Sequence, residues 1–134
     1  MFNPRVKKGV LAVKVKMIVL VALCWVLISP ARAGTAWLVG QVNQFLYDDA
    51  AFAGCLMGVT ADIGAAPGVT CTGGYVTLDC TGILGTSKAL SSAKVSAGQL
   101  AWVTGKNLYF KIDDSKKANG YCLATHLKVY DPPS

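Results

Sequence analysis

The chain has 134 residues and a formal net charge of +6, but the charge is unevenly distributed. Six of the thirteen basic residues lie in the first 33 positions, and from residue 34 onward seven lysines face seven aspartates, with neither arginine nor glutamate. Since counterion-release binding needs a basic surface and bidentate recognition of phosphate or guanine uses arginine, this composition argues against nucleic acid as a partner.

Residues 1–33 have the pattern of a secretory signal peptide. A basic stretch ends at Lys16, an uninterrupted apolar run covers residues 17–28, and Pro30 follows. The next three residues, Ala31-Arg32-Ala33, form a small-x-small cleavage pattern. We expect cleavage after Ala33, no stable membrane insertion after it, and a secreted or periplasmic protein made of residues 34–134 as one domain.

Two other interpretations of this segment remain open. One is an uncleaved single-span anchor, although the run is shorter than the roughly 18 residues that a spanning helix needs. The other is a lipoprotein acylated at Cys24, although Leu23 stands where a small residue is expected.

Four cysteines follow the predicted cleavage site: Cys55, Cys71, Cys80 and Cys122. An even number of cysteines in an exported domain of this size predicts two disulfides, with three alternative connectivities. A structural zinc site needs close CxxC pairs, which these spacings lack. The sequence therefore predicts neither a metal nor a cofactor.

The first part of the domain is β-rich. Residues 37–47 are rich in β-branched and aromatic side chains and predict a strand, in which Gly40 suggests a bulge. The apolar stretch at residues 50–60 is ambiguous, and residues 61–68 have the composition of a loop.

A cleanly alternating segment, Tyr75–Cys80, predicts the next strand, and residues 82–86 form a loop after it. One face of this strand carries Val76, Leu78 and Cys80, and the other carries Tyr75, Thr77 and Asp79.

A helical period replaces the alternation at residues 87–103. Ser87 is a suitable N-cap and Gly105 a suitable C′ residue. The apolar stripe expected to face the core consists of Leu90, Ala93, Ala97, Leu100 and Ala101. The remaining faces carry Lys88, Ser91, Ser92, Lys94 and Gln99.

Alternation returns in the last two predicted strands, residues 107–113 and 121–130, which are separated by a polar turn at residues 114–120. The face expected to be buried carries Leu108, Phe110 and Ile112 in the first, and Leu123, Thr125, Leu127 and Val129 in the second.

The resulting order is three strands, a helix and two strands, a mostly β domain with one helix. It predicts a small five-stranded antiparallel barrel of the OB type, with the helix between the third and fourth strands. The alternative is an open α+β sheet with one packed helix.

Residues 71–130 resemble a group of small exported bacterial proteins. The matching segments are Cys71, Val76-Thr-Leu-Asp79, Gly85-Thr-Ser-Lys-Ala89, Gly105-Lys-Asn-Leu-Tyr-Phe110 and Cys122. Their layout is similar to that of the receptor-binding B subunits of bacterial toxins, of the subtilase cytotoxin and typhoid toxin type. The resemblance implies an OB-fold, pentamers and glycan binding, and it favours pairing Cys71 with Cys122 and Cys55 with Cys80. No glycan-contacting motif of those subunits can be placed on this chain.

No catalytic residue is predicted. The single histidine, His126, is expected on the outer face of the last strand, with no nucleophile elbow to support a triad. The adjacent pairs Asp48-Asp49 and Asp113-Asp114 are typical of turns and strand ends, and the calcium-loop pattern is absent.

Aromatic side chains are the remaining candidates for function. Tyr75, Tyr109 and Tyr121, together with His126, are expected on faces opposite the core, where they could bind a sugar or a peptide by stacking and hydrogen bonding. The simpler interpretation is cross-strand packing. We expect an exported, non-enzymatic binding module for a glycan or a partner protein. The alternatives are a periplasmic structural protein or homo-oligomer, and then a small secreted enzyme or inhibitor.

Overall fold

A computed structural model describes residues 33–48 and 51–131. Apart from Ala33, the predicted export segment lies outside the described residues. The regular elements are strand β1 (Thr35–Tyr47), a short 3-10 segment (Ala51–Gly54), strands β2 (Cys55–Val59) and β3 (Tyr75–Thr77), helix α1 (Lys88–Thr104), and strands β4 (Asn107–Ala118) and β5 (Tyr121–Tyr130). The prediction of a mostly β domain with one helix is confirmed. Over the described ranges, no helix is long and apolar enough to cross a membrane.

The five strands form one mixed sheet in the order β1-β2-β3-β5-β4. Because β1 pairs with both β2 and β4, the sheet closes on itself. The expectation of an entirely antiparallel sheet is wrong, since β3 and β5 are parallel at Thr77 and Leu123. The chain passes through α1 and β4 between these two strands, and a parallel pair requires a long connection of this kind.

Strand β1 is bent by a register shift between Val42 and Gln44 in its pairing with β2. The bulge expected at Gly40 is therefore a few residues further along the strand. Gly40 has a different role: a Cβ at this position would lie 2.8 Å from the backbone nitrogen of Ala61. Glycine lets β1 and the segment after β2 approach each other closely.

Strand β3 is shorter than the predicted Tyr75–Cys80. It ends at Thr77, and Asp79 adopts a left-handed φ of 58° that stops the extended backbone. The expected outward face is also wrong, because Thr77 and Asp79 are as fully buried as Val76. Both faces of this segment are covered, so its alternating pattern carries no information about exposure.

The residues that cap helix α1 at its two ends are those that the sequence predicts. The amide of Leu90 donates to Ser87 Oγ at the N-cap, and Gly105 ends the helix in a left-handed conformation with φ of 66°. Its amide donates to the carbonyl of Trp102. Both caps are local features, which explains why local patterns predict them.

The buried face of α1 matches the predicted stripe only in part, at Ala101. The helix buries Ser91, Lys94, Gly98 and Ala101, while Leu90, Ala93 and Leu100 are exposed. Gly98 permits this close packing, because a Cβ there would lie 2.7 Å from Met57 Sδ and 2.8 Å from Phe45 Cζ. Glycine lets α1 pack close to β1 and β2, while Leu90, Ala93 and Leu100 of the predicted stripe are turned toward solvent.

Strand β4 supplies the centre of the core. Leu108, Phe110 and Ile112 are fully buried, as predicted. The strand continues to Ala118, so the predicted polar turn at residues 114–120 is reduced to Asn119 and Gly120.

Strand β5 departs from the predicted single face. A register shift opposite Lys111 and Ile112 places Cys122, Leu123 and Ala124 all in the core, whereas Thr125, Leu127 and Val129 are half-buried.

Two disulfides are present, Cys55–Cys80 and Cys71–Cys122, each with a Cα–Cα distance of 5.6 Å. The first joins the start of β2 to the segment after β3, and the second joins the loop before β3 to β5. Both bridges fit an oxidising, extracytoplasmic compartment.

Candidate binding surface

Three rings lie together on the outer face formed by β1, β4 and β5. Trp37 on β1 stacks on Tyr109 on β4, with ring centroids 4.7 Å apart and planes at 10°. The imidazole of His126 on β5 lies 5.8 Å from the Trp37 ring, centroid to centroid. We call Trp37, Tyr109 and His126 the aromatic platform.

Strand register explains this arrangement. Trp37 pairs with Lys111, and Lys111 pairs in turn with His126, so these three residues form a row across the sheet. Tyr109 lies two residues before Lys111 and therefore points to the same face. The Lys111 ammonium lies 5.8 Å from the centroid of the Trp37 ring, within cation–π range.

The platform is accessible to a ligand. Trp37 is 49% exposed and Tyr109 36%, and the neighbouring Val39 is 48% exposed. Lys128 pairs with Tyr109 across β4 and β5 and is also exposed. The surface thus combines large apolar ring area with the cations of Lys111 and Lys128.

The other two candidate tyrosines lie elsewhere. Tyr75 and Tyr121 meet edge to face with centroids 5.7 Å apart, and Tyr121 also meets Phe52 at 5.5 Å. Gln44 donates a hydrogen bond to the Tyr75 hydroxyl. Both tyrosines are half-buried, so cross-strand packing accounts for them.

The four predicted surface residues therefore form two groups, and only Tyr109 and His126 belong to the platform. Trp37 is the residue that the prediction missed. Trp37 follows the buried Ala36 in β1, so alternation places the Trp37 side chain on the outer face of the sheet. The strand register that brings Trp37 beside Tyr109 is a tertiary feature.

A groove of about 210 Å³ runs between α1 and β5 beside the platform. Its lining residues are Leu90, Ala93, Lys94, Ala97, Thr125, His126 and Leu127. His126 therefore belongs to the platform and also lines the groove, and its Nδ1 lies 3.3 Å from the Thr125 hydroxyl oxygen.

A buried carboxylate organises the segment that leads into α1. Oδ2 of Asp79 accepts hydrogen bonds from the amides of Leu84 at 3.1 Å and Thr86 at 2.8 Å. The Ser91 hydroxyl donates to the Asp79 carbonyl oxygen at 2.6 Å. The second carboxylate oxygen, Oδ1, is buried without a hydrogen-bond partner.

Lys94 of α1 is a buried cation that interacts electrostatically with this carboxylate. The lysine is only 4% exposed. Burial lowers its pKa, the charge of Asp79 acts in the opposite direction, and the positive charge of Lys116 adds to the lowering. Asp79 therefore offsets only part of the cost of burying this ammonium group.

Replacing Lys94 with methionine is expected to raise the melting temperature at pH 7. A lysine whose pKa is lower in the folded state destabilises that state while it is protonated, and this effect disappears as the pH rises through the unfolded value of about 10.4. The advantage of Lys94→Met should therefore shrink between pH 7 and about pH 11. Thermal melts at both pH values test this, with the exposed Lys88→Met on the same helix as control. A Lys94→Met protein less stable than wild type at pH 7 would contradict it.

The described residues contain no group of three or more His, Cys, Asp or Glu side chains that could hold a metal ion.

Comparison with models of known protein families gives no match for this chain, and neither curated proteins nor solved structures match it.

Proposed function

We propose that this protein is an exported, non-enzymatic binding module that holds a glycan on the aromatic platform. The observation that carries the proposal is the exposed stack of Trp37 on Tyr109, with His126 and Lys111 beside it. Aromatic side chains that remain exposed in a small domain give large contact area with little loss of conformational entropy on binding.

A sugar ring matches the chemistry of this surface. Its apolar C–H face can pack on the exposed parts of the rings, and its hydroxyl groups can accept hydrogen bonds from Lys111 or bond to the His126 imidazole. Lys111 and Lys128 also favour a ligand without positive charge.

The strand order adds support to this proposal. The sheet closes in the order β1-β2-β3-β5-β4, and the helix lies between β3 and β4 in the chain. We propose that this arrangement is an OB-like barrel. OB-folds are used for oligosaccharide and oligonucleotide binding, and the balanced charge after residue 33 favours the first of these.

Export is part of the proposal. The two disulfides are compatible with an extracytoplasmic location, and the leader pattern of residues 1–33 would direct the chain there.

A second candidate function is self-association or binding of a partner protein. The exposed apolar side chains of α1 favour it: Leu90 and Leu100 are about half exposed, and Val103 is 79% exposed. Such a surface is typical of an interface between proteins.

The Trp37→Ala substitution is expected to weaken glycan binding at least about tenfold, because loss of a stacked ring removes roughly 1.4 kcal/mol or more of binding free energy. The measurement is a glycan-array screen of the exported protein, followed by calorimetric titration of the best ligand. Trp102→Ala is the matched control, since Trp102 lies on α1 and is 48% exposed.

Equal losses for Trp37→Ala and Trp102→Ala would contradict the platform as the site. Absence of any glycan ligand at millimolar concentration would contradict the proposal as a whole. In that case native mass spectrometry of the same sample would test the second candidate through the oligomeric state.

A further inference from the structure

The amide and the carbonyl of Gly34, just before β1, both form hydrogen bonds with Asp114 of β4. The Gly34 amide donates to Asp114 Oδ1 at 2.5 Å, and the Gly34 carbonyl accepts a hydrogen bond from the Asp114 amide at 3.0 Å. The first residue after the predicted cleavage site is therefore anchored at one position of the domain.

The same residue is closed in by the loop before β3. A Cβ on Gly34 would overlap the carbonyl oxygen of Gly68 and lie 2.8 Å from the carbon of that carbonyl group. Both obstructing atoms belong to the backbone, so a side chain at position 34 could be accommodated only if the loop moved. Glycine is required here by close packing.

The other oxygen of the same carboxylate fixes this loop. Asp114 Oδ2 accepts hydrogen bonds from the amide of Thr70 at 3.0 Å and from its hydroxyl at 3.3 Å. The Lys117 ammonium donates to the Thr70 hydroxyl oxygen at 2.8 Å and also to the Thr70 carbonyl. The hydrogen bond from the Gly34 amide is the main reason that the pKa of Asp114 is lowered. The Asp114 carboxylate is therefore already held in the charged form.

We propose that Asp114 is the binding site for the free α-amino group that export creates at Gly34. Hydrolysis of the Ala33–Gly34 bond adds OH from water to the Ala33 carbonyl and H to the Gly34 nitrogen, which then takes up a proton. The neutral amide at Asp114 Oδ1 becomes an ammonium group at the same position. The proposal depends on the predicted cleavage after Ala33 and is independent of glycan binding.

The charge change strengthens an existing contact. The amide contact already has an ionised acceptor, and conversion of the donor to an ammonium group adds the attraction between two full charges to this hydrogen bond. Asp114 and Lys117 are the charged side chains that form hydrogen bonds at this site, and the loop contributes the Thr70 hydroxyl and main-chain groups. Removal of the leader therefore stabilises the junction between the start of β1, the loop and β4.

The pH range of this stabilisation follows from both partners. An α-amino group paired with Asp114 is expected to have a raised pKa, so it contributes fully below its unfolded value of about 7.7 and loses its contribution as the pH rises through the higher folded value. Asp114, whose pKa is lowered, contributes above its unfolded value of about 3.9 and loses its contribution as the pH falls through the lower folded value. The ion pair should therefore be strongest between about pH 4 and pH 8.

The test compares two forms of the exported protein. One is the natural chain, and the other carries one alanine inserted between Ala33 and Gly34, which moves the free amine outward and leaves a neutral amide at Gly34. Intact-mass analysis establishes the first residue of each form. Asp114→Asn is then introduced into both, and melting temperatures are measured at pH 6 and pH 10.

We expect the natural chain to begin at Gly34 and Asp114→Asn to lower its melting temperature more than that of the inserted form at pH 6. This difference should disappear at pH 10. NMR titration of the Gly34 α-amino group should give a pKa above its ordinary value, and Asp114→Asn should reverse that shift. Equal effects of Asp114→Asn in both forms at pH 6, an unshifted amine or a first residue other than Gly34 would each overturn the proposal.

Discussion

Replacing Cys71 and Cys122 together with alanine is expected to lower the free energy of unfolding by about 4 kcal/mol. The bridge closes a loop with a sequence separation of 51 residues, and chain-entropy arguments assign about this value to a loop of that length. Cys122 is fully buried, so alanine there also removes core contacts. A domain of this size is stable by only about 5–15 kcal/mol, so the loss is a large part of the total.

The Cys55–Cys80 bridge is the internal control. Its sequence separation is 25, about half as long, and halving a loop reduces the entropic contribution by only about 0.6 kcal/mol. Urea unfolding of the two double-alanine proteins should therefore show similar large losses, slightly greater for Cys71 and Cys122. A loss below about 1 kcal/mol for that pair would show that the bridge does not constrain the unfolded chain as expected.

The sequence predicted those parts of the fold that depend on local chemistry. The caps at Ser87 and Gly105 depend on side-chain and backbone properties of single residues. The buried face of β4 was also predicted correctly, because the outer face of this strand carries Tyr109 and Lys111 and its inner face is apolar.

Where tertiary contacts override the local pattern, prediction failed. Most of the predicted apolar stripe of α1 is exposed, because Gly98 allows the neighbouring face of the helix to approach Phe45 and Met57 closely. Lys94 is buried on that same face. Hydrophobic periodicity identifies a helix face but cannot show that a glycine face packs more closely than a leucine face.

The candidate surface was predicted only in part for a similar reason. Alternation places Tyr109 and His126 on outward faces, and both lie on the platform. Alternation also placed Tyr75 and Tyr121 outward, but the parallel pairing of β3 with β5 brings these two together as packing partners. Strand order and register are required to distinguish the two pairs.

Replacing Asp79 with alanine is expected to lower the free energy of unfolding by roughly 3–4 kcal/mol. The substitution leaves the part-buried amide of Leu84 and the buried amide of Thr86 without their acceptor, and an unsatisfied buried amide costs about 1–3 kcal/mol. It also removes the negative charge that offsets part of the burial cost of Lys94.

Asp62→Ala is the matched control for Asp79→Ala. Asp62 is also a loop aspartate and accepts one hydrogen bond, from the Ala65 amide, but it is exposed. Water can replace the lost acceptor there, so we expect a loss below about 1 kcal/mol.

The Lys94→Met background separates the two contributions of Asp79. If the charge matters, Asp79→Ala should be less destabilising in Lys94→Met than in the wild type, because no buried cation is left unpaired. If only the amide contacts matter, the loss should be the same in both backgrounds. Urea unfolding of the four proteins measures the coupling. Hydrogen exchange at Leu84 and Thr86 should be faster in both Asp79→Ala proteins, and unchanged exchange there would contradict the proposed role of the carboxylate.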